Sequence, residues 1–430
     1  MKILYLHQYF QTRDMVGVAG NRSYEFARLL VKAGHQVHVV TSFQNFNENK
    51  FRAWETEQDG IVVRWLGIPY SNKMPFRKRL WAFQQFALRA AREAARIPAD
   101  VIYATSGPLS IAIPGMYASW RGKTPLVFEV RDLWPEGAIQ LGVIRNPIFK
   151  AVARGLERAA YRSSEHIVAL SPGMRDGIHQ CGVPSSKITV IPNAADLDLF
   201  HPGIDGCAVR QRLGLNKRFS LAYFGTMGLA NGIGFVLDAA AELKRRAVSD
   251  VVFVLHGDGM ERAALEKRAV EDGLDNVIFS DPQPDKRDVA ELVAAVDVCL
   301  TIYKNVPVLR TCSPNKLFDA FAAGKPVLTN MPGWLGDELI SGKTGVLVRP
   351  DDAFDFADKV LWMRDHPEAL LEFGSRARAL AVTHFARETL AAELEKVLKD
   401  AVGHKAATLP SEVGGRPHAF GAEVNAHQDS

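Results

Sequence analysis

The chain has 430 residues, 47% of them hydrophobic, with 52 Lys and Arg against 48 Asp and Glu. This composition excludes a disordered or collagenous chain, and the length points to two domains. The net charge of +4 hides a division: residues 1–200 carry 25 basic and 16 acidic side chains and the remainder 27 and 32, so the first half is the one suited to an anionic surface or ligand.

Short β-branched runs predict strands at 2–7, 36–41, 61–66, 100–105, 125–130, 166–170 and 187–192, with helical patterns at 20–33, 76–97 and 147–162. The apolar run of MKILYLHQYF is broken at His7 and no small-residue cleavage site follows, so no secretory signal is expected. Residues 101–120 are uncharged but contain Gly107, Pro108, Pro114 and Gly115, which predicts a strand, a turn and a short helix rather than a membrane span. The segment IPNAADLDLFHPG (191–203) reads as a non-helical connector because of Pro192, Pro202 and Gly203. The rhythm restarts at FSLAYFG (219–225) and continues through VVFVLHGDG, NVIFS, DVCLTI, PVLTN and GVLVRP. The prediction is therefore an α/β protein of two Rossmann-like, doubly wound domains, at 1–200 and 201–382. Helical patterns follow at 353–364, 367–381 and 385–400, and the stretch 383–402 is expected to pack back toward the first domain. Residues 403–430, rich in Gly, Pro and polar residues, read as a disordered tail. Cys181, Cys207, Cys299 and Cys312 form no CxxC pair, which favours a reducing, cytoplasmic compartment.

Open α/β sheets bind ligands beyond the carboxyl ends of their strands, so the loops there hold the candidate residues. After the first strand, Gly17, Gly20 and Asn21 precede a helix, either as a phosphate cradle or as an ordinary turn. After PLVFEV, Arg131 and Asp132 either place a carboxylate at the mouth of the sheet or form a local cap and ion pair. In RTCSPNKLFDAFAAGKPVLTN (310–330), Ser313 or Asn315 is placed to cap a helix, leaving N–H groups and Lys316 beside an anion and Asp319 one turn on. A solvated Lys316 and a first-turn Asp319 are the plainer alternative. Lys73, Arg77, Lys78, Arg79, Arg89, Arg92 and Arg96 face only Glu93 in residues 73–96, where Phe76, Leu80, Phe83 and Ala87 recur at helical spacing; this predicts a helix on an anionic membrane surface. Asp196 and Asp198 form a DxD pattern, but they lie in the connector and are too few to hold a divalent ion, so no metal and no cofactor are expected.

The hinge motif PNAADLDLF, the loop HGDG (256–259) followed by DNVIFSD, and above all PNKLFDAFAAGKPV resemble the retaining glycosyltransferases of family 4, which have the GT-B fold. The RDLWPE loop resembles the bacterial subgroup that builds surface polysaccharides such as O-antigen and capsule on a lipid carrier. The resemblance implies transfer of a hexosyl or N-acetylhexosaminyl group from a nucleotide sugar, with uridine preferred, to a lipid-diphosphate-linked saccharide, without a metal. It also implies a cytoplasmic enzyme peripheral to the inner face of the plasma membrane. Ser313 to Lys316 would contact the donor diphosphate, Asp319 the ribose, Thr226 and Asn231 of GTMGLANG the diphosphate side, and Asp281 to Gln283 the nucleobase. Three departures stand out. Thr311 replaces the first of the family's paired glutamates, GTMGLANG lacks the family's cations and leaves Arg310 and Lys316 to supply them, and Arg131 with Asp132 stand where many members have a histidine. Asp132 is accordingly the expected catalytic group. The other functional classes are a nucleotide-sugar 2-epimerase and a non-catalytic membrane-associated binding protein; no motif supports nucleic-acid binding.

Overall fold

Each half of the chain builds one sheet from short buried runs connected by helices. The computed structural model describes residues 1–12, 15, 22–43, 53–70, 74–282 and 285–408. The first sheet comprises β1 (Lys2–Leu6), β2 (Gln36–Phe43), β3 (Trp54–Gln58), β4 (Ile61–Gly67), β5 (Val101–Thr105), β6 (Leu126–Val130), β7 (His166–Ala169) and β8 (Ile188–Val190). Its order is β3-β4-β2-β1-β5-β6-β7-β8. All pairs are parallel except β3 with β4. The strand β3, WETEQ, was not expected, because its charged residues lack apolar alternation; such residues suit an edge strand, where they oppose further pairing. The second sheet comprises β9 (Phe219–Phe224), β10 (Val251–His256), β11 (Val277–Ser280), β12 (Val298–Thr301), β13 (Val327–Thr329) and β14 (Gly345–Leu347), all parallel, in the order β11-β10-β9-β12-β13-β14.

Helices cover both faces of each sheet, as parallel strands buried on both sides require. On the first sheet, helices Phe76–Ala94, Ala112–Gly122 and Pro147–Ser163 lie on one face. The other face is covered by helix Arg22–Lys32 together with the last helix, Arg387–Thr408, whose Leu390, Leu394 and Leu398 pack among Ile3, Tyr5 and Val37. The return of the chain is registered by a backbone bridge between Ala195 and Ala386. The last helix continues through Thr408, so residues 403–408 are helical rather than part of a disordered tail; residues 409–430 lie outside the described ones. Helix Phe76–Ala94 differs from its expected role as well. Phe86 and Ala87 are in the core and Phe83 packs on Tyr70, so most of its apolar side serves the sheet instead of a membrane. Lys73 lies outside the described residues. No helix among the described residues is long and apolar enough to cross a membrane.

A buried charge cluster fastens the connector to the first sheet. Arg22 donates from Nε to Glu129 at 3.0 Å and from Nη2 to the Ile191 carbonyl at 3.0 Å, and it also donates to the Pro192 carbonyl. Glu129, at the end of β6, accepts in addition from Tyr103 at 2.6 Å and from Thr105. Burial alone would raise the Glu129 carboxyl, but Arg22, Arg131 and the two hydroxyls outweigh it and hold the group below its usual range. Removing one partner of such a pair leaves an uncompensated buried charge. Arg22→Met should therefore destabilise the fold by about 3–5 kcal/mol in denaturant unfolding; a loss within error of zero would show that the cluster does not hold the connector.

Candidate functional site

A cleft of about 470 Å³ opens where the carboxyl ends of the two sets of strands face each other. The first domain contributes Arg131 and Asp132 after β6, Leu170 after β7 and Asn193 after β8. The second contributes the loops after β9 and β10, Tyr303 after β12, and the start of helix Asn315–Ala322. The halves are in contact around it. Ser171 donates to the Thr311 carbonyl, the Asn193 amide N–H donates to Ser313 Oγ at 3.2 Å, and Val308 N–H donates to Gln140 Oε1 at 3.0 Å.

The second domain's loops meet so closely that glycine is required. Gly257 has φ +151°, and a Cβ there would lie 1.9 Å from the Gly225 carbonyl oxygen; Gly225 itself has φ +130°. This crossing brings Tyr223 under Lys316. The ammonium lies 3.6 Å from the Tyr223 ring centroid and 5.8 Å from that of Tyr303, and it has no hydrogen-bond partner. Burial lowers its pKa to about 7. Helix Asn315–Ala322 begins after Pro314 without a side-chain cap. The expectation that Ser313 or Asn315 caps it is thus corrected: Ser313 is engaged with Asn193 across the cleft, and the first-turn N–H groups have no capping side chain.

Asp319, one turn further, is buried, and its carboxyl is raised by that burial against the pull of Lys286. Lys286 is 3.6 Å from Asp319 and 3.5 Å from Asp196, which pairs with Arg387 at 2.6 Å; Arg387 is also 3.9 Å from Glu25. The DxD aspartate is therefore held by two cations, and no group of three or more metal-binding side chains occurs among the described residues. Across the cleft, the Asp132 carboxyl is exposed to the solvent within it but enclosed by both domains. That enclosure pushes its pKa up to about 6 against the pull of Arg131.

The structure gathers Arg131, Asp132, Thr226, Asn231, Ser313, Asn315, Lys316 and Asp319 around one cleft. Three expected residues do not line it. Arg310 is exposed and donates to Asn305 Oδ1 at 3.0 Å, so of the two cations expected to supply the missing charge Lys316 alone lines the cleft. Thr311 bonds the Val308 carbonyl at 2.7 Å and packs against Gly173 of the first domain. Asp281 is exposed and paired with Arg262 at 2.7 Å; its neighbour Pro282 lines the cleft instead. Gly17, Gly20, Asn21 and Gln283 lie outside the described residues. Sequence reasoning missed Asn193, Tyr223, His256, Lys286 and Tyr303, of which His256 stood in the quoted HGDG loop and Asn193 in the hinge motif. Lys286 had no local signal, since its partners are distant in sequence.

Comparison with known proteins agrees with this geometry. Residues 17–194 match the family described as glycosyl transferase 4-like domain, and residues 218–366 match glycosyl transferases group 1. The chain is 27% identical over 398 residues to D-inositol 3-phosphate glycosyltransferase of Nocardia farcinica, covering 88% of this chain and 84% of that one. It is 25% identical over 332 residues to the putative colanic acid biosynthesis glycosyl transferase WcaI of Escherichia coli, covering 72% and 79%. Among solved structures, HepE of Anabaena in complex with UDP and glucose superposes with a TM-score of 0.70 at 22% identity, over 93% of this chain and 99% of that one. Sucrose-phosphate synthase of Thermosynechococcus elongatus gives a TM-score of 0.76 at 18% identity, over 94% and 99%. The fold is GT-B.

Lys316 attracts an anion only while protonated. Its lowered pKa therefore favours binding below about 7 and loses it above. Affinity for an anion in the cleft, probed with inorganic pyrophosphate, should fall about tenfold from pH 6 to pH 8 through this group, and calorimetry should show that component missing in Lys316→Met. An identical pH profile in the variant would contradict the assignment.

Proposed function

Because the chain belongs to the glycosyltransferase family whose two domains it carries, we propose that it is a retaining enzyme that moves a hexosyl or N-acetylhexosaminyl group from a UDP-sugar to a lipid-linked saccharide in bacterial surface-polysaccharide synthesis. The observation that carries the donor reading is Lys316: an ammonium buried without a counter-charge, beside uncapped N–H groups at a helix start. A nucleoside diphosphate fits that arrangement, and the UDP complex of HepE supports the choice of nucleotide. The name of WcaI supports a polysaccharide acceptor. The D-inositol 3-phosphate transferase favours a second reading, a small phosphorylated acceptor, for which Arg131 stands ready in the cleft.

In the proposed reaction the bond from the anomeric carbon to the diphosphate oxygen breaks, and its electron pair leaves with the nucleotide. Lys316 and the first-turn N–H groups stabilise the charge that develops there, without a metal. The acceptor hydroxyl attacks from the same face, and its proton passes to the departing phosphate oxygen. Asp132, on the opposite wall, orients that hydroxyl, or takes its proton in place of the phosphate oxygen; a carboxyl with a pKa near 6 is suited to either task. Asp319 accepts from ribose hydroxyls, and Lys286 holds it in place. Contact between the domains excludes water that would hydrolyse the donor. On this reading the enzyme works in the cytoplasm, on the inner membrane face where a lipid-linked acceptor is presented.

Asp319→Ala removes a charge-assisted hydrogen bond of about 1.5–3 kcal/mol and should weaken UDP binding by about tenfold or more; unchanged calorimetric affinity would remove Asp319 from the site. Asp132→Asn should abolish transfer to a lipid-linked or inositol phosphate acceptor while leaving UDP affinity intact. Retained turnover would assign Asp132 a structural role. Activity lost in chelator and restored by magnesium would refute metal independence.

A further inference from the structure

We propose that the outer face formed by the three neighbouring helices Phe76–Ala94, Ala112–Gly122 and Pro147–Ser163 docks on an anionic lipid surface, whichever acceptor the cleft takes. Single exposed apolar side chains need no explanation, but these helices expose them in stripes. Trp81 and Leu88 on the first are 61% and 65% exposed, Trp120 on the second 75%, and Ile148 and Val152 on the third 72% and 64%. Ile113, Tyr117 and Trp120 follow one another at helical spacing, and the Tyr117 and Trp120 rings sit 6.0 Å apart. Amphipathic aromatic rings beside basic side chains of one sign, with no exposed acid on the same helices to pair with a protein's cations, suit an anionic headgroup layer.

The charges agree in sign. Arg77, Lys78, Arg92, Arg121 and Arg158 are exposed on the same helices. The only acids in the three helices are Glu93, which pairs with Arg64 at 3.0 Å, and Glu157, which is buried and accepts from Tyr161 at 3.2 Å. No exposed acid on these helices therefore opposes an anionic surface; beside them, Glu136 is paired with Arg154 at 3.2 Å. This face differs from the single helix the sequence suggested, because that helix turns Phe86 and Ala87 inward and, among its described side chains, offers Trp81 and Leu88 as its exposed large apolar ones.

The placement also serves the cleft. Each helix follows a parallel strand of the first sheet, so its first turns lie toward the carboxyl edge where the cleft opens. Trp81, Ile113, Tyr117, Ile148 and Val152 all fall in the first two turns. Docking through them sets the mouth of the cleft near the lipid plane.

The test is sedimentation of the full-length protein with phosphatidylcholine vesicles, with and without about one-third phosphatidylglycerol, and with no donor or acceptor present, so that its outcome is independent of the acceptor reading. Binding should be about tenfold or more stronger to the anionic vesicles and should weaken with salt. Brominated acyl chains should quench tryptophan fluorescence, and less so in Trp120→Ser. Ile148→Ser with Val152→Ser, and Arg121→Glu with Arg158→Glu, should each cut binding by about tenfold while UDP affinity stays unchanged. Equal binding to both vesicle types, no binding to either, or full binding by both double variants would overturn the proposal. So would self-association through this face, abolished by Ile148→Ser, in a protein that ignores lipid.

Discussion

An ammonium group held away from water without a carboxylate partner is the constraint around which the cleft is organised. Lys316 rests on the Tyr223 ring, under loops that cross so closely at Gly225 and Gly257 that no side chain fits between them. Desolvation makes this cation costly, and a bound anion repays that cost. The site is thus prepared for negative charge by its own strain. The helix start beside it adds uncapped N–H groups, which suits an acidic half of the chain to the anionic donor proposed for it. Net charge alone would have chosen the other half.

A chain of charges ties this site to the hinge. It runs from Glu25 through Arg387, Asp196 and Lys286 to Asp319, joining the first helix, the last helix, the connector and the cleft. The same first helix carries Arg22, which holds the carbonyls of Ile191 and Pro192. The connector is therefore gripped from both ends. The path of the last helix back across the first sheet has a chemical purpose here, since Arg387, its first residue, supplies one of the two cations of that chain.

Much of the fold was legible because parallel strands are apolar runs, and every such run from β1 to β14 left a pattern except the charged edge strand β3. The site was legible where its residues lie in one segment, as Ser313, Asn315, Lys316 and Asp319 do. It was less legible where neighbours decide. Arg310 and Thr311 precede that segment directly, yet one points to Asn305 and the other seals the contact with Gly173. Lys286 and Tyr223 owe their roles to residues far away in sequence, which periodicity does not register. Trp120 and Ile148 likewise read as ordinary helix positions until the packing of three helices puts them on one surface.

On the proposed function, Lys316 waits in the cleft as a poorly solvated cation for a nucleoside diphosphate. The most direct test is a pH titration followed by NMR of the lysine side chains, with Lys316 assigned by comparison with Lys316→Met. The pKa of Lys316 should lie near 7 in the free protein, well below the ordinary 10.5, and rise when UDP is added. An ordinary pKa in the free protein, or one that UDP leaves unmoved, would contradict this reading.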